Sequence, residues 1–249
     1  MRILITSGGT AERIDDVRSI TNHSTGQLGR LITEEFLNNQ AEVDLVTTSK
    51  AVHPAENDHL RLYFIESTQD LVDTLERLLG QNQYDVIIHS MAVSDFSYEQ
   101  SFSEEVFLSR LNHVLEDKKY PLTKAEVRQL ITESEETQAH KISSDTDHLL
   151  MVLKKTPKVI QRIKKIQPSA KLVGFKLLSD VSKEELIATA RESLVKNNAD
   201  FVLANDLSTI DNNQHIGYLI DRNWQIIGEA KTKTDIAHLI FKTIRTEVN

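Results

Sequence analysis

"RILITSGGT", residues 2–10, sets an apolar, β-branched run against a Ser-Gly-Gly-Thr ending. Such a run predicts a strand at 2–6 and a tight turn at 7–10. Beyond a long polar stretch, Leu28, Leu31, Ile32 and Phe36 recur on one face of a helix expected at 27–38. "EVDLVTTS" (42–49) and "LRLYFIES" (60–67) read as the next strands. A helix over 68–80 follows, with Leu71, Leu75, Leu78 and Leu79 as its stripe and Ser67 with Asp70 as a capping box. "YDVIIHSMAVSDF" contains a strand at 86–89, apolar on both faces as a buried parallel strand is. The pattern resumes with "KLVGFKLL", a helix over "SKEELIATARESLVKNN" capped by Ser182 and Glu185, and "ADFVLAND". "IGYLIDRNWQIIGEA" reads as a hairpin turning at 221–223, and a last helix is expected over 234–246. Alternating strands and helices predict an α/β fold: a three-layer, doubly wound, Rossmann-like and mostly parallel sheet, with a C-terminal hairpin and a helical insert. One domain over 1–249 is expected. The acidic insert or flap at 97–140 lies within it, with Thr123 and Glu126 as another capping box.

Eight glycines and four prolines among 249 residues leave little room for long linkers. A net charge of −8 argues against a protein that tracks nucleic-acid phosphates. The absence of cysteine excludes disulfides, cysteine-bound metal and cysteine nucleophiles. No apolar run approaches the roughly 20 residues of a membrane span, and the first strand is too short for a signal segment. A cytoplasmic protein is the expectation.

Ligands of such sheets lie beyond the carboxyl ends of the strands. Polar residues there are Ser7, Gly8, Gly9 and Thr10, then Ser90 to Phe96, Gly174 with Phe175, and Asn205 with Asp206. "SGGT" reads either as a plain tight turn or as a cradle whose backbone N–H groups approach a phosphate. "SITNHSTGQLGR" (19–30) crowds amides, hydroxyls and glycines before a helix. Asn22, Ser24 and Thr25 each suit an N-cap, but one helix needs only one cap, and the surplus points to an anion near the helix start. Asp95 reads as a turn aspartate or as a carboxylate for a ribose hydroxyl or a metal ion. Lys154 and Lys155 read as a basic turn, and Arg162, Lys164 and Lys165 as the outer face of a helix. Asp15 and Asp16 read as a solvated loop, and Lys141, taken alone, as a solvated lysine. No histidine has zinc-site spacing. These readings reach an α/β protein for a nucleotide or another phosphorylated ligand, without naming a reaction.

"ITSGGTAERIDDVRSITNHSTGQLG" (5–29) resembles the signature of the phosphopantothenoylcysteine synthetases. That signature is a glycine-rich turn, then T-x-E-x-[IL]-D-x-V-R, then [IS]-[ST]-N-x-S-x-G-x-x-G. Thr10, Glu12, Ile14, Asp15, Val17, Arg18, Asn22, Ser24, Gly26 and Gly29 match it in order. "MAVSDF", "VGFKLL" and "DFVLAND" are similar to the family's later segments, and the likeness is weakest at 97–140.

The resemblance implies a ligase of coenzyme A biosynthesis that joins 4′-phosphopantothenate to L-cysteine. CTP activates the carboxylate as an acyl-cytidylate with release of pyrophosphate, and the cysteine amine then displaces CMP. Implied catalytic residues are Asn22, on the acyl or phosphoryl oxygens, and Lys141, the first lysine of the family's K-x-K-K flap motif. Here that motif reads "KISS", so Ser143 and Ser144 replace two lysines and Lys154 or Lys155 would share their role. Gly8, Gly9, Thr10, Ser24, Gly26, Asp95, Phe96, Lys155 and Phe175 would bind the nucleotide, while Asn22, Asn205 and Asp206 would bind substrate. Mg2+ would be held mainly by the triphosphate, with Asp95 as its protein ligand. The family also implies a homodimer, and a chain beginning at its first strand implies a separate phosphopantothenoylcysteine decarboxylase. Rival readings are a nicotinamide-dependent reductase, for which G-x-G-x-x-G and an acid ending the second strand are missing, and a non-catalytic nucleotide sensor.

Overall fold

A computed structural model describes residues 1–116, 121–132, 146–211 and 214–248. In chain order its first elements are β1 (Arg2–Thr6), β2 (Ala11–Arg13), β3 (Ser19–Thr21), α1 (Gln27–Asn38), β4 (Glu42–Thr48), β5 (Leu60–Ile65), α2 (Thr68–Gln81) and β6 (Val86–His89). β7 (Phe96–Ser103), α3 (Glu104–Leu115), α4 (Lys124–Thr132), β8 (Leu149–Lys155), α5 (Ile160–Ile166) and β9 (Lys171–Leu178) come next. α6 (Lys183–Asn197), β10 (Phe201–Ile210), β11 (His215–Asp221), β12 (Ile226–Ala230) and α7 (Lys233–Val248) complete the chain. Two compact units emerge: Met1–Thr10 with Asn22–Val93 and Pro157–Asn249, and Ala11–Thr21 with Ser94–Thr156.

The first unit is the expected α/β fold. Its eight-stranded sheet runs β12-β11-β10-β9-β6-β1-β4-β5, parallel from β10 to β5 and closed by the antiparallel pairs β10/β11 and β11/β12. α2, α5 and α6 cover one face through Leu71, Leu75, Ile163, Leu186 and Ala190 against Leu4, Ile87 and Leu172. α1 and α7 cover the other through Ile32, Phe36, Ile236 and Ile240 against Ile3, Ile5 and Ile88. Phe36 meets Phe241 edge to face, with centroids 5.2 Å apart, and so fastens α1 to α7. Each such buried aliphatic or aromatic side chain contributes about 1.5–3 kcal/mol. The Ser67–Asp70 capping box opens α2 as the spacing predicts. The chain leaves β1 toward β4 and β5 on one side, then crosses through α2 to β6 on the other. β1 and β6 therefore flank the point where strand order reverses.

Lys164 departs from the expected outer face. It is buried in α5, where Nζ lies 2.8 Å from Asp200 and donates to the main-chain oxygens of Pro168 and Ala170. The long stem reaches the interior because three acceptors meet the ammonium there. Asp200 also accepts from Leu172 N at 2.8 Å and faces Arg222 Nε at 3.1 Å.

The second unit holds more strand than expected. Residues 11–21 form a hairpin with Ala11 opposite Thr21 and Arg13 opposite Ser19. Asp15 is not merely solvated: Oδ1 accepts from Val17 N and Arg18 N, and Oδ2 takes the Arg18 guanidinium at 2.6 Å. The stretch expected to be a helical insert begins inside the strand β7 and then turns helical, Ser103 capping α3. Thr123 and Glu126 bond reciprocally at the start of α4. Lys154 and Lys155 end β8 rather than forming a turn, because β8 pairs with β7 as far as Phe96–Lys155. Of the insert, 117–120 and 133–140 lie outside the described residues, as do Lys141, Ser143 and Ser144.

Candidate active site

The carboxyl ends of β1 and β6 are joined before they diverge. Thr6 Oγ1 is hydrogen-bonded to His89 Nδ1 at 2.9 Å and accepts from Met91 N, while Ser90 Oγ donates to Thr6 O at 2.7 Å. Burial keeps His89 uncharged, with its pKa lowered to about 4. The two chains stay paired past the sheet: Ala92 N donates to Gly8 O and Thr10 N to Ala92 O. Gly9 has no room for a side chain, since a Cβ there would stand 2.5 Å from Asn22 O.

That contact seats the polar stretch on the glycine turn. Asn22 Nδ2 donates to Val93 O at 3.1 Å, so this side chain spans from the α1 approach to the β6 loop. Ser7 Oγ fills the place a Cβ on Gly29 would take, and donates to Gly26 O. The cap of α1 differs from all three sequence candidates. Gly26 is the N-cap, with φ 78° and no side-chain cap bond, because Val52 O and Ala51 Cβ would both lie 2.9 Å from a Cβ there. Thr25 Oγ1 accepts from Gln27 N, at 3.3 Å. Gly8, Gly9, Asn22, Ser24 and Gly26 are thus gathered around a helix start without an N-cap side chain, whereas the Thr10 hydroxyl lies 3.3 Å from that of Thr68 at the start of α2. This arrangement can receive an oxyanion through main-chain N–H groups and the helix dipole.

Farther along the same sheet edge, Phe175 in β9 stands in register with Leu203, half-buried against the α1 and α7 face. Asn205 and Asp206 are buried in β10. The Asp206 carboxylate accepts from Val181 N, Ser208 N, Ser208 Oγ and Asp180 N at 2.8–3.0 Å, and these bonds hold its pKa down to about 2. Asn205 Nδ2 lies 3.1 Å from His215 Nε2 on β11. His215 escaped the sequence reading, having no spacing signal and a partner ten residues away across an irregular stretch of the ladder.

In the second unit, Asp95, Phe96 and Lys155 come together at one end of the β7–β8 ribbon. Phe96 pairs with Lys155, Asp95 O accepts from Thr156 N, and Thr156 Oγ1 donates to Ser94 O. Phe96 is 49% exposed, unusual for an aromatic ring beside a charged strand end. Among the described residues, no three His, Asp or Glu side chains are grouped to hold a metal ion, and no helix is long and apolar enough to cross a membrane.

Residues 1–116 and 132–248 match a family described as DNA/pantothenate metabolism flavoprotein C-terminal domain. The chain is 30% identical over 243 residues to the coenzyme A biosynthesis bifunctional protein CoaBC of Thermococcus kodakarensis, covering 98% of this chain and 50% of that protein. It is 27% identical over 250 residues to the Methanocaldococcus jannaschii protein of the same name, with the same coverage. The chain thus spans about half the length of these curated relatives. A solved structure of the DNA/pantothenate metabolism flavoprotein from Streptococcus pneumoniae superposes with a TM-score of 0.84 at 40% identity, over 99% of both chains. A variant of Cab2 in complex with phosphopantothenate-cysteine shares the fold, with a TM-score of 0.69 at 18% identity over 99% of this chain and 86% of that one.

Proposed function

The chain belongs to the family of the DNA/pantothenate metabolism flavoprotein C-terminal domain, and from that premise we propose that it is a CTP-dependent phosphopantothenate–cysteine ligase of coenzyme A biosynthesis. The observation that carries the reading is the seat of Asn22 on Gly9, beside a helix start with no N-cap side chain, at the point of strand reversal. Relatives named for coenzyme A biosynthesis support it.

A carboxylate is a poor electrophile, so a substrate oxygen attacks the α-phosphorus of CTP and the bond to the β-phosphate breaks, releasing pyrophosphate. The cysteine amine then attacks the acyl carbon, the acyl–oxygen bond breaks, CMP leaves and the nitrogen loses a proton. Gly8, Gly9, Thr10, Ser24 and Gly26 face phosphate oxygens. Asn22, anchored at Val93 O, would direct its amide at the acyl or phosphoryl oxygen, where charge grows during attack. Lys141 supplies the cation for the first step, aided by Lys155. Asp95, Phe96 and Phe175 contact the nucleotide. Asn205 meets the substrate, and Asp206, its carboxylate already taking four donors, fixes the loop at 180–181 beside it. Mg2+ would be held mainly by triphosphate oxygens, with Asp95 as its protein ligand. Mg2+ there would neutralise charge on the triphosphate. The active form is a homodimer in the cytoplasm.

The test is pyrophosphate release with 4′-phosphopantothenate, Mg2+ and either CTP or ATP, with and without cysteine. Release that requires 4′-phosphopantothenate and prefers CTP is expected. Folded protein that releases none with either nucleotide overturns the ligase and favours a nucleotide sensor.

A further inference from the structure

We propose that His215 is a positioning residue that fixes the orientation of the Asn205 side-chain amide, so that this amide presents its oxygen to a hydrogen-bond donor on the substrate. The inference rests on the ligase reading above and deepens it.

The ladder between β10 and β11 runs in register from Phe201–Asp221 to Asn205–Gly217, then breaks, and resumes only at Ile210–His215. Irregularities of this kind commonly re-aim a side chain beside a functional site. Here the released residues are pinned by Asp206 to the main chain at Asp180 and Val181, while the imidazole of His215 reaches back to Asn205. Both side chains are buried, and the main chain of His215 is held by Lys231 O at 2.7 Å.

With the amide nitrogen of Asn205 facing the ring, one arrangement of the pair follows. An amide NH2 can only donate, so Nε2 of His215 must accept. The neutral ring then carries its proton on Nδ1, which is buried and has no partner among the described residues. Burial, with Lys233 nearby on α7, lowers the His215 pKa to about 4 and keeps the ring uncharged near neutral pH. A protein tolerates a buried, unsatisfied N–H where another requirement holds the group in place. An apolar side chain would fill the same space without that cost, so the requirement is the acceptor at Nε2. With Nδ2 committed to β11, the amide oxygen turns to the opposite side. A ligand hydroxyl or amide N–H is its complement, whereas a phosphate or carboxylate would be repelled.

The experiment compares wild type, His215→Leu and His215→Gln in pyrophosphate release, varying 4′-phosphopantothenate and CTP separately. Leu keeps the bulk and removes the acceptor; Gln can place an oxygen near the position of Nε2. The expected result is a KM for 4′-phosphopantothenate about tenfold higher in His215→Leu, as for a lost, oriented hydrogen bond. The KM for CTP should change less than about twofold, with His215→Gln recovering most of the loss. In an Asn205→Ala background, His215→Leu should add no further rise, since the two residues act through one bond. An unchanged KM, equal rises for both substrates, no recovery by Gln, or additive effects in the double variant overturns the inference while leaving the ligase standing. A wild-type chain that neither turns over nor binds 4′-phosphopantothenate overturns both.

Discussion

Asn22 and Asp206 each spend side-chain bonds on a neighbouring loop, yet with different consequences. Asn22 gives an N–H to Val93 O and so holds its amide at the β6 loop. Replacing it with Asp removes both N–H groups and sets a negative charge where the acyl-cytidylate gathers electrons. Asn22→Asp should therefore still release pyrophosphate but accumulate the acyl-cytidylate, detectable by mass spectrometry of the quenched reaction. Lys141→Gln should instead block pyrophosphate release. Equal loss of both half-reactions in both variants would refute this division of labour. Asp206 takes four donors and its pKa is lowered to about 2. Its folded pKa lies below the unfolded value of about 3.9, so its stabilisation is complete above about pH 4 and is lost as pH falls through 2. Asp206→Asn loses the charge and turns an NH2 toward N–H groups. Urea midpoints of wild type and variant should differ most at pH 7 and converge toward pH 2; a gap that stays constant with pH would assign the effect to packing alone.

The elements most legible in the sequence are those the core buries completely. β1, β6 and α1 occupy the bounds expected of them, because strands covered on both faces read as unbroken apolar runs and Ile32 and Phe36 keep helical spacing. The β7–β8 ribbon was harder to see. Phe96, Tyr98 and Phe102 alternate as a strand should, but helix formers crowd the residues after them, and β8 is covered so little that Leu149, Met151 and Leu153 remain exposed. In the candidate site, an ordered signature singles out Gly9 and Asn22, which the fold brings together, whereas His215 is defined by a break in register that no local pattern encodes. Lys164 failed for a related reason: its place in α5 looks solvent-facing until Asp200 arrives from the start of β10. Lys164→Met should cost about 3 kcal/mol, at the low end for removing one partner of a buried ion pair, because Asp200 keeps Arg222 and Leu172 N. Lys165→Ala, on the exposed side of the same helix, should cost less than about 0.5 kcal/mol. Denaturant unfolding measures both, and equal effects would show that the Lys164 contacts add nothing.

Across the whole molecule, apolar burial is shared unevenly between the two units. The first carries both core clusters, including Ile3, Leu4, Ile87 and Ile88 with no exposed surface. In the second, the described buried apolar side chains are Phe102 and Leu130, and α3 contributes no buried residue at all. What holds α3 is lighter: Phe107 stacked on Phe102 with centroids 6.1 Å apart, and the Arg110 guanidinium 4.7 Å from the Phe102 ring. Local opening costs little where few apolar groups become exposed, whereas amides in a central strand exchange only when the whole core opens. Native-state hydrogen exchange at neutral pH should find the amides of β1 and β6 limited by global unfolding and those of α3 exchanging about a hundredfold faster or more. Added stabiliser should slow the β1 and β6 amides while leaving α3 nearly unchanged, because only the former report the global equilibrium. Protection in α3 equal to that in β6 would mean that the second unit draws its stability from the same cooperative core, and that the sparse burial of α3 does not govern its opening.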